Sequence, residues 1–179
     1  MWRIDGPMDW TNATHAPDIW VMDYQEFEPA ADLRRYVRCI WSLRGTARAG
    51  EEADPVFPDG CPELIINFAD PFRARVGDAF VEQPLTMLVG QITQPLVVGP
   101  TYAADILAIR FEPFGGAVLS DNMASITNTW RDVEPLLMER CAFQLSAVRS
   151  AASYEFRVSA IEDLVRTLIG LADDSHATV

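Results

Sequence analysis

Three ionisable side chains stand beside apolar runs, where they could do chemistry. Asp59 and Glu63 are four residues apart, and two neighbouring carboxylates can act as a general acid and a general base. Arg110 lies inside the strongly apolar stretch 106–111, and a cation there needs a partner because an unpaired buried charge is costly. The sequence therefore predicts two compatible roles for Arg110: an internal ion pair with Glu63 or Asp59, and a polar anchor for a small ligand.

The stretch Pro58-Asp59-Gly60 is typical of a turn. Proline presets φ at one turn position and glycine permits a positive φ at another, so turn geometry explains the aspartate without catalysis. We favour a structural turn here that leads into a strand over about 62–68. Alternation puts two sets of side chains on opposite faces of that strand, Glu63, Ile65 and Asn67 on one and Leu64 and Ile66 on the other, without showing which face lines an interior.

Other catalytic and metal-binding patterns are missing from the sequence. The only histidines, His15 and His176, lie near the two ends, so neither a hydrolase triad nor a histidine-based metal site is supported. The three cysteines are odd in number and far apart, which predicts buried thiols in a reducing cytoplasm. We expect no enzyme activity, no metal and no cofactor.

Short apolar-alternating segments dominate the first two thirds of the chain. Residues 37–44 alternate as a half-buried strand, and residues 45–54 form a polar loop. Turn signals such as Asp70-Pro71 and Gly99-Pro100 separate further strands, with no helices between them. This pattern predicts an antiparallel barrel or sandwich. The further strands are expected at about 62–68, 72–76, 85–91, 95–99 and 103–111.

Helical periodicity replaces the strand pattern after residue 126. Residues 29–36 already suggest one short helix, and 113–119 a helical turn; from Asp132 onward the period is helical. One later stripe has the spacing of a helix seam, which fits a dimer contact about as well as packing on the barrel of the same chain. The expected segments are an irregular aromatic arm (1–22), a barrel (23–126) and a helical segment (127–179). The seam candidates are Tyr154, Val158, Ile161, Val165 and Leu168.

Composition limits the classes of partner. The chain has 179 residues, of which 49% are hydrophobic, so one domain with a sizeable core, or one domain plus an appendage, is expected. Fourteen basic against 26 acidic residues give a net charge of −12, which would repel nucleic acid from most of the surface. No stretch approaches the ~20 apolar residues of a membrane span, and the N-terminus is not a secretory signal. The cytoplasm is the expected location.

The order of several motifs resembles a known family. A Pro-x-x-x-Leu-x-x-Tyr-Val segment from Pro29 leads to Ile40-Trp41, and the turn at 58–60 leads to Leu64-Ile65 and Asn67. Three further motifs follow in order: Val89-Gly90, Ile109-Arg110-Phe111-x-Pro113-x-Gly115, and Leu136-Leu137. Over roughly residues 24–172 this order resembles the N-terminal effector-sensing domain of AraC-type transcriptional regulators, in the group with a divergent cupin-like barrel.

The resemblance implies an α+β fold, a small-molecule effector in the barrel, a homodimer, and DNA binding through a C-terminal helix-turn-helix domain. This sequence stops at Val179, where that domain would begin, so we expect either a fragment of a regulator or a natural stand-alone version of the sensor domain, and we favour the fragment. One arginine among aromatics would suit an aromatic or carboxylate-bearing effector. The alternatives are a cofactor-free enzyme that uses Glu63 or Asp59 with Arg110, and a purely structural dimerisation domain. The candidate pocket residues are Trp41, which could equally be plain core, Phe57, Glu63, Asn67, Gln91 and Arg110.

Overall fold

A computed structural model describes residues 22–46, 53–120 and 122–176. Most of the expected N-terminal arm, with its three tryptophans, lies outside these residues. Ten strands precede two helices in the described part of the chain. The strands are β1 (Asp23–Phe27), β2 (Val37–Thr46), β3 (Asp54–Val56), β4 (Glu63–Asn67), β5 (Phe72–Val76), β6 (Ala79–Glu82), β7 (Thr86–Val89), β8 (Leu96–Pro100), β9 (Ala103–Phe111) and β10 (Trp130–Asp132).

Two antiparallel sheets form the body of the domain. One has six strands in the order β1-β2-β9-β4-β7-β10, and the other has four in the order β3-β8-β5-β6. Each strand pair is antiparallel, as expected for short strands joined by turns. The predicted α+β class, an antiparallel cupin-like sandwich followed by helices, is confirmed.

Strand β9 lies between β2 and β4 and is covered on both faces. A central strand of this kind has a nearly continuous apolar sequence, since neither face meets water. Its odd-numbered residues Leu107, Ile109 and Phe111 belong to the core shared with the helices, whereas Ile106 and Ala108 belong to a second cluster with Trp41. Strand β4 alternates in step: Leu64 and Ile66 are fully buried in the helix-side core. Its opposite face therefore looks toward the second sheet.

Helices α1 (Glu134–Ser150) and α2 (Tyr154–His176) pack over the six-stranded sheet. Pro135 stands in the first turn of α1, where its missing N–H costs nothing, and the helix is interrupted at Cys141. The predicted helix over 29–36 is instead a set of turns, closed by bonds such as Tyr36 N–H to the Leu33 carbonyl. A 3₁₀ turn occupies Gly115–Val118, as the sequence suggested.

The stripe proposed as a dimer seam is used inside the chain. Ile161, Val165 and Leu168 are buried in the core beneath α2, and Tyr154 and Val158 pack against that core. The seam assignment is therefore corrected in favour of its alternative, because a side chain already buried in the monomer has no apolar surface left for a second copy.

Strand β10 extends the six-stranded sheet by pairing with β7, so the sheet continues past residue 126, where the sequence suggested a boundary. Among the described residues, no helix is both long and apolar enough to cross a membrane.

Candidate functional site

A cavity of about 100 Å³ lies between the two sheets. The six-stranded sheet contributes side chains from β1, β2, β4, β7 and β9, and the four-stranded sheet contributes Val56, Phe72, Leu96 and Val98. The face of β4 that carries Glu63, Ile65 and Asn67 is the cavity face, which answers the question that periodicity left open. The walls are mainly apolar and aromatic, as is usual for small-molecule sites.

Arg110 forms the charged centre of this cavity with two carboxylates. Its Nε lies 2.7 Å from Oε1 of Glu63 and 3.3 Å from Oδ2 of Asp59. The sheet register explains the first contact, because Glu63 and Arg110 are direct partners across β4 and β9. The Arg110 side chain is 12% exposed and that of Glu63 is 16% exposed. The predicted internal ion pair is thus present, with both proposed partners at once.

Trp41 completes the cluster from the next strand. Its indole Nε1–H donates to Oε1 of Glu63 at 3.2 Å, and the ring belongs to the small core cluster on the cavity side. Trp41 is therefore both a residue of the small core cluster and part of the cavity wall. One carboxylate oxygen thus accepts hydrogen bonds from both Trp41 and Arg110.

The environment changes the proton affinity of the pair. Burial raises the pKa of Glu63 above its ordinary value of 4.5, and the adjacent Arg110 guanidinium offsets this only in part. For Arg110, burial acts to lower the pKa, but Glu63 and Asp59 outweigh it and hold the pKa above its usual value. The arginine is therefore a permanent cation in the site, and the Glu63 carboxyl binds a proton more readily than an exposed glutamate does.

The turn at 58–60 has the expected construction and supplies one charge of the cluster. Gly60 has a φ of +76°, a conformation that favours glycine. Oδ1 of Asp59 accepts from the Cys61 N–H at 2.9 Å, while Oδ2 faces Arg110. Asp59 thus shapes the turn and pairs with the arginine at the same time.

The remaining predicted pocket residues differ in position. Phe57 lines the cavity and is 57% exposed, which places it at the mouth. Asn67 also lines the cavity, but its amide donates to the Asp70 carbonyl and its oxygen accepts from the Ala69 N–H. Its polar atoms are therefore occupied in holding the turn after β4.

Gln91 does not line the cavity. Its side-chain nitrogen donates to the carbonyls of Gly60 at 2.9 Å and Pro113 at 3.2 Å. The assignment of Gln91 to the pocket is wrong, because these bonds hold its amide between two loops, where it ties the 58–60 turn to the end of β9.

Tyr24 is a cavity residue that the sequence did not reveal. It stands on β1, and its ring centroid lies 5.9 Å from that of Trp41. Its hydroxyl donates to Oε1 of Glu26 at 2.5 Å, and burial together with this carboxylate raises its pKa. Only a weak indication of this strand is present in the sequence: in the five-residue segment 23–27, Tyr24 and Glu26 would share one face, and Gln25 and Phe27 the other.

The three cysteines are free thiols. Cys61 lines the cavity, and Cys39, half-buried on β2, packs against the core cluster that contains Trp41. Burial raises the pKa of Cys39 to about 11 and also raises that of Cys61, so neither thiol is activated as a nucleophile near neutral pH. Among the described residues no group of three or more His, Cys, Asp and Glu side chains could hold a metal ion.

A second polar cluster joins the opposite face of β9 to helix α2. Asp105 accepts hydrogen bonds from Arg157 Nη1, at 3.1 Å to each carboxylate oxygen, and from the Tyr154 hydroxyl. The Arg157 guanidinium also stacks 4.0 Å from the ring centroid of Phe68. The strand that carries Arg110 toward the cavity is thus fastened at its other end to the start of α2.

Comparison with known proteins places the chain in one family. Residues 25–131 match the family described as Domain of unknown function (DUF6597), which is more than half of the sequence, and the chain therefore belongs to that family. No curated protein matches the chain.

Two solved structures are similar to part of the chain. The crystal structure of FeII HppE aligns with 59% of this chain and 63% of its own, at 13% identity and a TM-score of 0.38. The chain thus spans less than two thirds of that protein. An RmlC-like cupin protein from Desulfovibrio desulfuricans aligns with 60% of this chain and 98% of its own, at 16% identity and a TM-score of 0.33. These values concern the fold alone and carry no statement about ligand or activity.

Proposed function

We propose that this DUF6597 protein is the effector-sensing domain of a cytoplasmic AraC-type transcription regulator. A small molecule would bind in the cavity between the sheets, and a DNA-binding domain elsewhere in the regulator would respond. The observation that carries the proposal is the charged cluster of Arg110, Glu63 and Asp59 inside an otherwise apolar cavity. The order of the sequence motifs supplies the link to the regulator family.

The cluster is better explained by recognition than by stability. Bringing an ion pair out of water costs free energy, and well-packed apolar residues of similar volume are often as stabilising. Charged side chains that border an empty volume can instead orient a ligand and exclude others. Since the cluster borders such a volume, we infer that its main role is to select the effector.

Strand β9 offers a route from the cavity to the helices. Arg110 stands on its cavity face, and Asp105, near its beginning, is held by Tyr154 and Arg157 of α2. An effector that binds two arrangements of this strand with different affinity would shift the population of α2 positions. The surplus of acidic residues agrees with a domain that leaves DNA binding to another part of the protein.

A homodimer remains part of the proposal, with a different surface from the one first suggested. Because the former seam residues are buried in the core or packed against it, a helical dimer contact would use exposed apolar side chains such as Phe143 on α1 and Phe156 on α2. Sedimentation of the wild type and of a Phe143→Ser variant tests whether this surface forms a dimer. A wild type that sediments as a monomer at every concentration contradicts the dimer.

Thermal melting in the presence of metabolite pools tests the sensing role. We expect at least one compound to raise the melting temperature of the wild type, because a ligand that binds only the folded state stabilises it. Val98→Phe fills the cavity and should abolish the shift, whereas Val76→Phe, at an exposed position on β5, should preserve it. No stabilising compound in any pool, or a shift that survives Val98→Phe, contradicts the proposal.

A cofactor-free enzyme is the second candidate, because two carboxylates lie 2.7 and 3.3 Å from one arginine nitrogen and burial raises the pKa of Glu63. Under this reading the wild type would convert a compound from the pools and Glu63→Gln would not. Binding without turnover favours the sensor.

A purely structural domain is the third candidate. The cavity of about 100 Å³ is smaller than the ~300 Å³ or more of typical ligand sites, which favours this reading over binding of a large effector. It predicts that no compound of any size raises the melting temperature while the protein still dimerises.

A further inference from the structure

We propose that the effector is a small organic cation: an ammonium group on a compact apolar body, held between the carboxylates of Glu63 and Asp59 and the aromatic wall of the cavity. This inference rests on the proposed sensing function and names the chemical class of its ligand. It departs from the carboxylate-bearing effector that the single arginine first suggested.

The charge balance of the cavity favours a cation. Arg110 is the one basic side chain that lines it within the described part of the chain, and its Nε already faces two carboxylates. A third carboxylate, the exposed Glu26, accepts a hydrogen bond from the cavity residue Tyr24. An anionic ligand could reach the outer nitrogens of Arg110, but it would lie against a surplus of negative charge, and like charges in a site shielded from water repel strongly.

Glu63 has an oxygen to spare for a ligand. Both hydrogen bonds that it accepts within the described residues, from Trp41 Nε1 and Arg110 Nε, end on Oε1. Oε2 makes no hydrogen bond to the described residues, and an ionised carboxylate can accept at each oxygen. A hydrogen-bond donor that carries a positive charge is the strongest partner for such an oxygen.

The aromatic wall suits the same class of ligand. The rings of Tyr24 and Trp41 lie 5.9 Å apart at an interplanar angle of 35°, and Phe72 packs in the same cluster. Phe57 adds a fourth ring at the mouth. Aromatic faces attract organic ammonium groups, most of all when tryptophan contributes and water is excluded. Aromatic rings next to a carboxylate thus provide both attractions that an ammonium group can use.

The size of the cavity restricts the body of the ligand. An apolar cavity of roughly 150 Å³ accommodates benzene, so a cavity of about 100 Å³ suits a smaller group. A branched group of roughly five heavy atoms is the appropriate scale. Larger parts of an effector would extend past Phe57 into the mouth.

Three probes with one shared body test the charge directly: tert-butylammonium, tert-butanol and pivalate. They differ in carrying an ammonium, a hydroxyl or a carboxylate on the same tert-butyl group. Each is titrated into the wild-type protein at equal ionic strength, with the melting temperature and the Trp41 indole N–H resonance as readouts; the resonance is assigned with Trp41→Phe. We expect tert-butylammonium to raise the melting temperature and shift the resonance at concentrations at least tenfold below tert-butanol, and pivalate to do neither. Pivalate binding as tightly as or more tightly than the ammonium overturns the inference, as does failure of all three.

A matched pair of variants ties the preference to the cavity. Glu63→Gln keeps the shape but removes the charge, and we expect it to weaken tert-butylammonium by about tenfold or more, since hydrogen bonds to charged groups are the stronger ones. Glu82→Gln removes an exposed carboxylate on β6 and should change nothing. If Glu63→Gln does not fold, Asp59→Asn serves instead with the same expectation. Equal weakening by Glu82→Gln would mean a general attraction to the acidic surface and would overturn the inference.

The two proposals fail in different ways. If the metabolite pools yield a neutral or anionic compound whose stabilising effect is lost in Val98→Phe, the sensor stands and the cation preference falls. If no compound of any charge stabilises the protein, both fall together.

Discussion

Replacing Arg110 with leucine removes the only guanidinium from a cluster that contains two carboxylates. Glu63 is 16% exposed and would lose the cation that pairs with it. Breaking a buried ion pair by removing one partner costs about 3–5 kcal/mol, and because neither side chain is fully buried we expect the lower end, about 3 kcal/mol. In urea, with an m value of about 2 kcal/mol/M, the midpoint would fall by roughly 1.5 M.

Removing both charges should cost much less. In the double variant Arg110→Leu/Glu63→Leu, replacing the ion pair by apolar residues is often close to neutral. Asp59 also loses its cation, but it is 28% exposed and can be solvated. The Trp41 N–H loses its acceptor, so we expect a net loss of about 1 kcal/mol. The double variant should therefore be about 2 kcal/mol more stable than the single one.

Arg34→Leu is the matched surface control. Arg34 pairs with Glu28 at 3.2 Å, but the two side chains are 60% and 89% exposed, so the loss should stay below about 1 kcal/mol. If Arg110→Leu costs no more than this control, or if the double variant is less stable than the single one at an unchanged m value, the buried ion pair does not have the stabilising role assigned to it.

Three further predictions concern protonation, the helix attachment and close packing. Because burial raises the folded pKa of Glu63 above 4.5, the contribution of this side chain to stability is full below pH 4.5 and is lost as the pH rises through the raised pKa. The free energy of unfolding of Glu63→Gln minus that of the wild type should therefore increase with pH above 4.5. A difference that does not change with pH contradicts the raised pKa of Glu63. Tyr154→Phe removes the hydroxyl that donates to Asp105 and should lower stability in urea by about 1–2 kcal/mol, whereas no change would mean that the bond contributes nothing. A Cβ added at Gly90 would meet a backbone carbonyl oxygen at 1.9 Å, so Gly90→Ala should lower the melting temperature. A Cβ added at Gly170 in α2 would meet nothing within 4 Å, so Gly170→Ala should stabilise the protein by about 0.5–1 kcal/mol. A Gly90→Ala variant that is more stable than Gly170→Ala contradicts the packing at these glycines.

The interior strands were predictable from the sequence because burial leaves a pattern. Strand β9 was expected over residues 103–111 and β5 over 72–76, and both have those bounds. The alternation of Glu63 and Ile65 against Leu64 and Ile66 was also correct, since each face of β4 meets a different interior. The ion pair of Arg110 followed from the cost of an unpaired charge in an apolar strand.

The strands that the sequence did not reveal are the four outermost ones. β1 and β10 end the six-stranded sheet, and β3 and β6 end the four-stranded sheet. An edge strand buries few side chains, so its sequence does not need to alternate between apolar and polar residues. In β6, for example, every residue is exposed. Tyr24 was missed for this reason, because it reaches the cavity from β1.

The errors in the site have a different physical origin. Gln91 is adjacent to cavity residues in sequence, but its position depends on two loop carbonyls that are distant in sequence. The stripe on α2 has the spacing of a dimer seam, and spacing alone does not distinguish a second copy from the sheet of the same chain. In both cases the deciding contact is long-range.

An effector that occupies the space between the sheets would contact only one face of β4 and β9, and methyl NMR can distinguish the two faces. Ile65 and Ile66 are neighbours on β4, yet the first lines the cavity and the second lies in the helix-side core; Ile106 and Ile109 form a second such pair on β9. Titration with the compound that stabilises the protein should shift the methyl resonances of Ile65 and Ile106 first and most, while those of Ile66 and Ile109 change less. Equal shifts in all four, or shifts confined to Ile66 and Ile109, would contradict the account.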